Sequence, residues 1–176
     1  MAIVAFWGNS EKETGQTISM IAVSTLMSIE HNHRILMVST GFREKTMEES
    51  FWSQNEKTPL NNLKPNNGTA NVQAGIEGLS RILQSNRGKK GIIPNYTKVV
   101  YNGRLDVLPS PTTRNYSDYV QVAKNYPPLM DLVNADYNIT FVDVDKRMPG
   151  SIQKEILMKA NVIVINISQP MKSLEM

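Results

Sequence analysis

Five short runs rich in β-branched residues punctuate this chain, and stretches of helical periodicity separate them. The runs are IVAF (3–6), ILMVST (35–40), LDVLPS (105–110), ITFVDVD (139–145) and VIVINIS (162–168). They are short, continuous and poorly alternating, which predicts strands buried on both faces, as in a parallel sheet. Between them, 17–30 places Ile18, Ile21, Ala22, Leu26 and Ile29 on one helical face. A second stripe runs over 72–86 with Val72, Ile76, Leu79 and Leu83, and a third carries Ile152, Ile156, Leu157 and Ala160. A fourth helical region is predicted over 117–135, broken or restarted at Pro127 and Pro128, which an uninterrupted helix cannot hold. Strand alternates with helix, so the predicted class is α/β, a three-layer α/β/α arrangement with a mostly parallel sheet. The 176 residues suffice for a single domain over 1–176 with its own core.

The inventory narrows the chemistry. Cysteine is absent and only two histidines are present, so thiolate nucleophiles, disulfides and a His-based zinc site are excluded or poorly supported. Carboxylates, hydroxyls, lysines, backbone amides and a bound Mg²⁺ remain. No apolar run reaches membrane length or has the flanks of a secretory signal, so a cytoplasmic location is expected. The formal charge of +3 permits weak attraction to nucleic acid or anionic lipid without requiring it. The stretch 55–71 is polar, Asn-rich and broken by Pro59, Pro65 and Gly68, which marks a long surface loop. The basic segment 85–91, with Arg87, Lys89 and Lys90, fits a solvated helix end near the negative pole of the dipole, and a nucleic-acid or lipid contact is the competing use.

The stretch GNSEKETGQT (8–17) sits between the first predicted strand and the first helix. A strand-to-helix loop turns several backbone N–H groups toward one point, and the helix dipole adds positive potential there, so polyphosphate binds without a special side chain. Gly8 and Gly15 supply a permissive backbone, and Thr17 stands where a Walker-type hydroxyl would meet Mg²⁺. The spacing is two residues longer than the standard loop, and Gln16 replaces its lysine. Gln16 can donate a hydrogen bond to phosphate but cannot neutralise it; Lys12 substitutes only if its ammonium folds back. Taken alone, the loop suits a structural turn as well as a nucleotide site.

Asp143, at the carboxyl end of ITFVDVD, occupies the position where open α/β sheets place ligand-binding groups, and could hold Mg²⁺ through a water. Its alternative use is to cap the loop and helix beginning near Pro149. The chain order of the Gly15/Thr17 loop followed by Asp143 favours the phosphate site. His31 and His33 lack a convergent third ligand and read as an exposed turn. Met47 and Phe51, one turn apart, read as the core side of a short helix, with an exposed aromatic contact at Phe51 and Trp52 as the alternative.

Together, FWGNSEKETGQTIS, RILMVSTGF, GRLDVLPSPTTR, DYNITFVDVD and NVIVINISQ resemble the ParA/MinD group of deviant P-loop ATPases, especially divergent members related to the pilus-localising TadZ and CpaE proteins. The resemblance covers nearly the whole chain. It implies a mostly parallel sheet between helices, ATP and Mg²⁺ as cofactors, and a homodimer that positions a protein cargo or assembly partner, such as a plasmid partition, division or pilus machine. It places Gly15, Gln16 and Thr17 in the nucleotide loop, Thr17 and Asp143 on the metal, and Asp143 as the catalytic candidate. The family's signature lysine falls near Glu11, with Lys12 adjacent. Gln16 makes this a degenerate Walker A loop, and Thr40 and Gly41 stand where the family usually carries an aspartate that positions water. The expected activity is therefore a weak or absent ATP hydrolysis, with a nucleotide-free scaffold and a DNA-associated partition factor as alternatives. Family members continue beyond the fifth predicted strand, so the resemblance implies either a C-terminally truncated copy or a natural remnant, with an incomplete adenine pocket.

Overall fold

The structure, a computed structural model, describes residues 2–8, 14–52, 75–84 and 91–167. Six strands form one sheet: β1 (Ala2–Gly8), β2 (Ile35–Ser39), β3 (Lys98–Tyr101), β4 (Leu105–Leu108), β5 (Ile139–Val144) and β6 (Val162–Asn166). Their order is β3-β4-β2-β5-β1-β6. All neighbours pair in parallel except β3, which runs antiparallel to β4. Among the described residues six helices cover the sheet: α1 (Gln16–Glu30), α2 (Thr46–Phe51), α3 (Ile76–Gln84), α4 (Tyr116–Ala123), α5 (Tyr126–Leu132) and α6 (Gly150–Lys159).

The two faces are unequal. On one, Phe6, Ile35, Met37, Val107 and Phe141 pack with Met20 of α1 and Met47 of α2. On the other, Ala5, Leu36, Val38, Leu108 and Val142 pack with residues from α3 to α6, including Ile76, Tyr119, Leu129 and Ile152. The expected three-layer α/β class with a mostly parallel sheet is the observed one. The helix break is also as expected: α4 ends at Ala123, and α5 restarts with Pro127 and Pro128 in its first turn, where the absent N–H groups would have had no helical acceptor.

Three expectations need correction. Most of the α1 stripe does not face the core: Ile18, Leu26 and Ile29 are 65%, 54% and 67% exposed and only Ile21 packs partly against it, whereas Met20, Ser24 and Ser28 are buried. The serines fit there because they are small and return their hydroxyls to the helix, Ser24 to Met20 O at 2.8 Å and Ser28 to Thr25 O at 2.7 Å. The last run, VIVIN, lies at the edge of the sheet, where among the described residues β6 pairs only with β1, and Val162, Ile163 and Ile165 are exposed. Finally, KVVY forms the unforeseen strand β3. Its turn signal is Asn102-Gly103, with Gly103 at φ 72 and Arg104 N donating to Tyr101 O at 2.9 Å. The expected loop 55–71, Val72 and the basic residues Arg87, Lys89 and Lys90 lie outside the described residues.

Candidate functional site

β1 and β5 are neighbours, yet their connections leave in opposite directions, α1 to the Phe6 face and α6 to the Ile152 face. Diverging connections open a crevice at the carboxyl ends of two parallel strands, the usual ligand position in open α/β sheets. Gly8 ends β1 there, and a Cβ on it would come within 2.8 Å of both Gln16 Oε1 and Thr14 Oγ1. Gly15 precedes α1 with φ 70, a left-handed conformation natural to glycine, and no side chain caps the helix. Among the described residues no side chain accepts from the first-turn amides of α1, which lie at the crevice.

Asp143 reaches the same crevice from β5. Its Oδ2 accepts a hydrogen bond from Thr17 Oγ1 at 2.7 Å, and its Oδ1 accepts one from Gln16 Nε2 at 2.6 Å. The Gln16 carboxamide is directed inward, also donating toward Phe6 O at 3.0 Å and Val144 O at 3.1 Å. It thus crosslinks β1, α1 and β5 at the base of the loop. Burial pushes the Asp143 carboxyl up to about 6; the bonds from Thr17 and Gln16 oppose that rise, and the Glu44 and Asp145 charges add to it.

The second aspartate of the motif is differently placed. Asp145 forms an ion pair with Arg147 at 2.6 Å and accepts from Phe42 N at 2.8 Å, while Arg147 also pairs with Glu44 at 2.8 Å. Among the described residues no cation pairs with Asp143. A buried carboxylate, a hydroxyl beside it and uncapped amides form an oxygen-rich set that fits Mg²⁺ and a phosphate. Thr17 and Asp143 would hold the metal.

Sequence reasoning missed what closes the back of the crevice. Thr40 donates its hydroxyl to Asp143 O at 2.7 Å and accepts from Asp145 N at 2.9 Å, so it joins the ends of β2 and β5. Tyr119 and Tyr126 donate to Thr40 O and Ser39 O, each at 2.8 Å, and hold the end of β2 from the helices. The separation of these tyrosines from their acceptors Thr40 and Ser39 along the chain, 79 and 87 residues, left no local signal. The alternative use of Asp143, as a cap for α6, is not realised; Pro149 occupies that cap position without a side-chain bond. Lys12 lies outside the described residues. His31 and His33 are exposed, and the described residues hold no group of three or more metal-ligating side chains. Met47 is buried and Phe51 packs partly against the same cluster, the core role expected of them.

No protein-family model matches the chain, and no curated protein does. Solved structures do match. A ParA family ATPase from Chlorobium tepidum TLS superposes with a TM-score of 0.70 at 15% identity, covering 98% of this chain and 63% of that one. The fold is that of the ParA/MinD P-loop NTPases. The septum site-determining protein MinD from Pyrococcus horikoshii OT3, complexed with Mg-ADP, gives a TM-score of 0.64 at 10% identity over 98% and 60% of the two chains. A plasmid partition protein from Borrelia burgdorferi gives 0.55 at 18% identity over 93% and 63%. This chain spans less than two thirds of the length of these structures. Among the described residues, no helix is long and apolar enough to cross a membrane.

Proposed function

We propose that this P-loop-like domain binds ATP with Mg²⁺ in the β1–β5 crevice, hydrolyses it weakly or not at all, and acts as a dimerising organiser or assembly factor. The observation that carries the binding reading is the 2.7 Å contact between Thr17 Oγ1 and Asp143 Oδ2 at the uncapped start of α1. It brings a hydroxyl and a carboxylate together where they could serve a phosphate-bound Mg²⁺, directly or through water, beside amides that suit the phosphate itself. Mg²⁺ would supply the charge neutralisation that Gln16 cannot. Weak hydrolysis follows from the residues at hand: Gln16 has no charge, and the hydroxyl of Thr40 is engaged with β5. The role as organiser of plasmids or division rests on the resemblance and on the kind of proteins that share the fold, whereas the pilus role and the relation to TadZ and CpaE rest on the resemblance alone.

One observation favours a second reading, a nucleotide-free scaffold. The Gln16 amide already donates toward the acceptors at the base of the loop, so the carboxylate and strand-end carbonyls have a protein partner without a ligand. Calorimetric titration with ATP, with and without Mg²⁺, separates the two. Mg²⁺-dependent binding that Thr17→Ala and Asp143→Ala each weaken at least tenfold is expected; no heat at millimolar ATP favours the scaffold. Gln16→Lys should tighten binding only if the loop has phosphate-cradling geometry.

A further inference from the structure

A second cleft, of about 820 Å³, lies at the carboxyl ends of β2 and β4, and none of its lining residues belongs to the Gly15–Thr17 and Asp143 site. The loop after β2 contributes Arg43 and Lys45, β3 contributes Lys98, and the loop after β4 contributes Thr113 and Arg114. Two carboxylates, Glu44 and Glu48, also line it, leaving an excess of two positive charges. Both carboxylates have other partners. Glu44 takes the Arg147 guanidinium at 2.8 Å, and Glu48 accepts from Ser110 N at 2.9 Å and Ser110 Oγ at 3.0 Å. The cations, by contrast, form no ion pair among the described residues. Among the described residues Arg43, Lys45 and Arg114 have no salt-bridge partner, and the Lys98 ammonium lies 5.4 Å over the Trp52 ring.

Two further details point inward. Thr113 Oγ1 is buried without a hydrogen-bond partner among the described residues, which costs free energy unless something pairs with it. Arg43 holds φ 55, a left-handed conformation that is strained for a residue with a Cβ. Cations of both kinds outside the described ion pairs, a buried free hydroxyl and a concave floor are the parts of an oxyanion site: guanidinium forks match phosphate oxygens, and ammonium groups add charge. The volume suits a small molecule, since ligand pockets occupy about 300–1,000 Å³.

We propose that this cleft binds a small molecule through a phosphate or diphosphate group, at a site separate from the nucleotide crevice. The inference does not depend on the nucleotide reading, because no residue is shared. The test is titration of the full chain with inorganic pyrophosphate at low and high salt, comparing Lys45→Gln/Arg114→Gln with Thr17→Ala. All three changed side chains lie outside the buried core, and unchanged circular dichroism and melting would verify folding. The expected result is saturable, salt-weakened binding that falls at least tenfold in the Lys45/Arg114 variant and less than twofold in Thr17→Ala. Three results would overturn the proposal: no saturable binding, binding that Lys45→Gln/Arg114→Gln leaves intact, or a loss of equal size in Thr17→Ala. If only the Thr17 variant loses pyrophosphate, the anion sits in the crevice, which supports the nucleotide reading while removing this one.

Discussion

Asp143 carries an energetic cost that defines its role. Its carboxyl titrates near 6 in the fold against an ordinary 3.8, so folding disfavours its ionised form. The sign follows directly: this contribution to stability is complete below pH ~4 and disappears as pH rises through ~6, amounting to about 3 kcal/mol by neutrality. In metal-free protein, Asp143→Asn should abolish that component. Urea unfolding at pH 4 and pH 7 should show the wild type losing about 2 kcal/mol relative to the variant across this interval. Parallel pH profiles for the two proteins would mean that Asp143 is not destabilised by burial. Asp145, two residues on, pairs with Arg147 and differs from Asp143 through its partner, not its residue type. Gln16 is the complementary case: its neutral amide shares the base of the loop with the carboxylate and the carbonyls of Phe6 and Val144.

Helix α1 shows how an element can satisfy a periodic pattern and still turn the other way. Its apolar stripe is real, yet the sheet receives Met20, Ser24 and Ser28. The start of the helix is pinned by Gly15, Gln16 and Thr17 at the crevice, and this fixes its rotation about its own axis. Small serines then allow close approach to the strands, with their hydroxyls returned to the helix carbonyls. The consequence is measurable. Ser24→Leu, which adds apolar bulk to a fully buried position, should destabilise the protein by about 1–3 kcal/mol through overpacking. Leu26→Gln, on the exposed side, should change stability by no more than about 0.5 kcal/mol. Denaturant midpoints measure both, and the opposite ranking would restore the stripe as the core face.

For the whole molecule, ligand binding should appear as stability. If MgATP occupies the crevice, a concentration of about 100 times Kd stabilises the fold by roughly 2.7 kcal/mol, or about 5–10 °C in melting temperature for a chain of this size. Scanning calorimetry beside light scattering would register that shift and any accompanying dimer. An unchanged melting temperature and mass in saturating MgATP would count against both the nucleotide and the dimer reading. The alternating runs were sufficient to establish the α/β class, five of the six strands and the restart at Pro127, because burial and proline chemistry act over a few residues. Strand β3 went unread because KVVY is short and largely exposed, although Asn102-Gly103 marked its hairpin. Within the site, the positions of Thr17 and Asp143 were legible from their places at the start of a helix and the end of a strand. Their 2.7 Å contact, the inward turn of Gln16, the tyrosine bonds to β2 and the cations gathered around the second cleft were decided by tertiary structure. Local sequence determines which segments extend or coil, whereas side-chain partners depend on strand order and helix rotation, which only packing across the entire sheet can set.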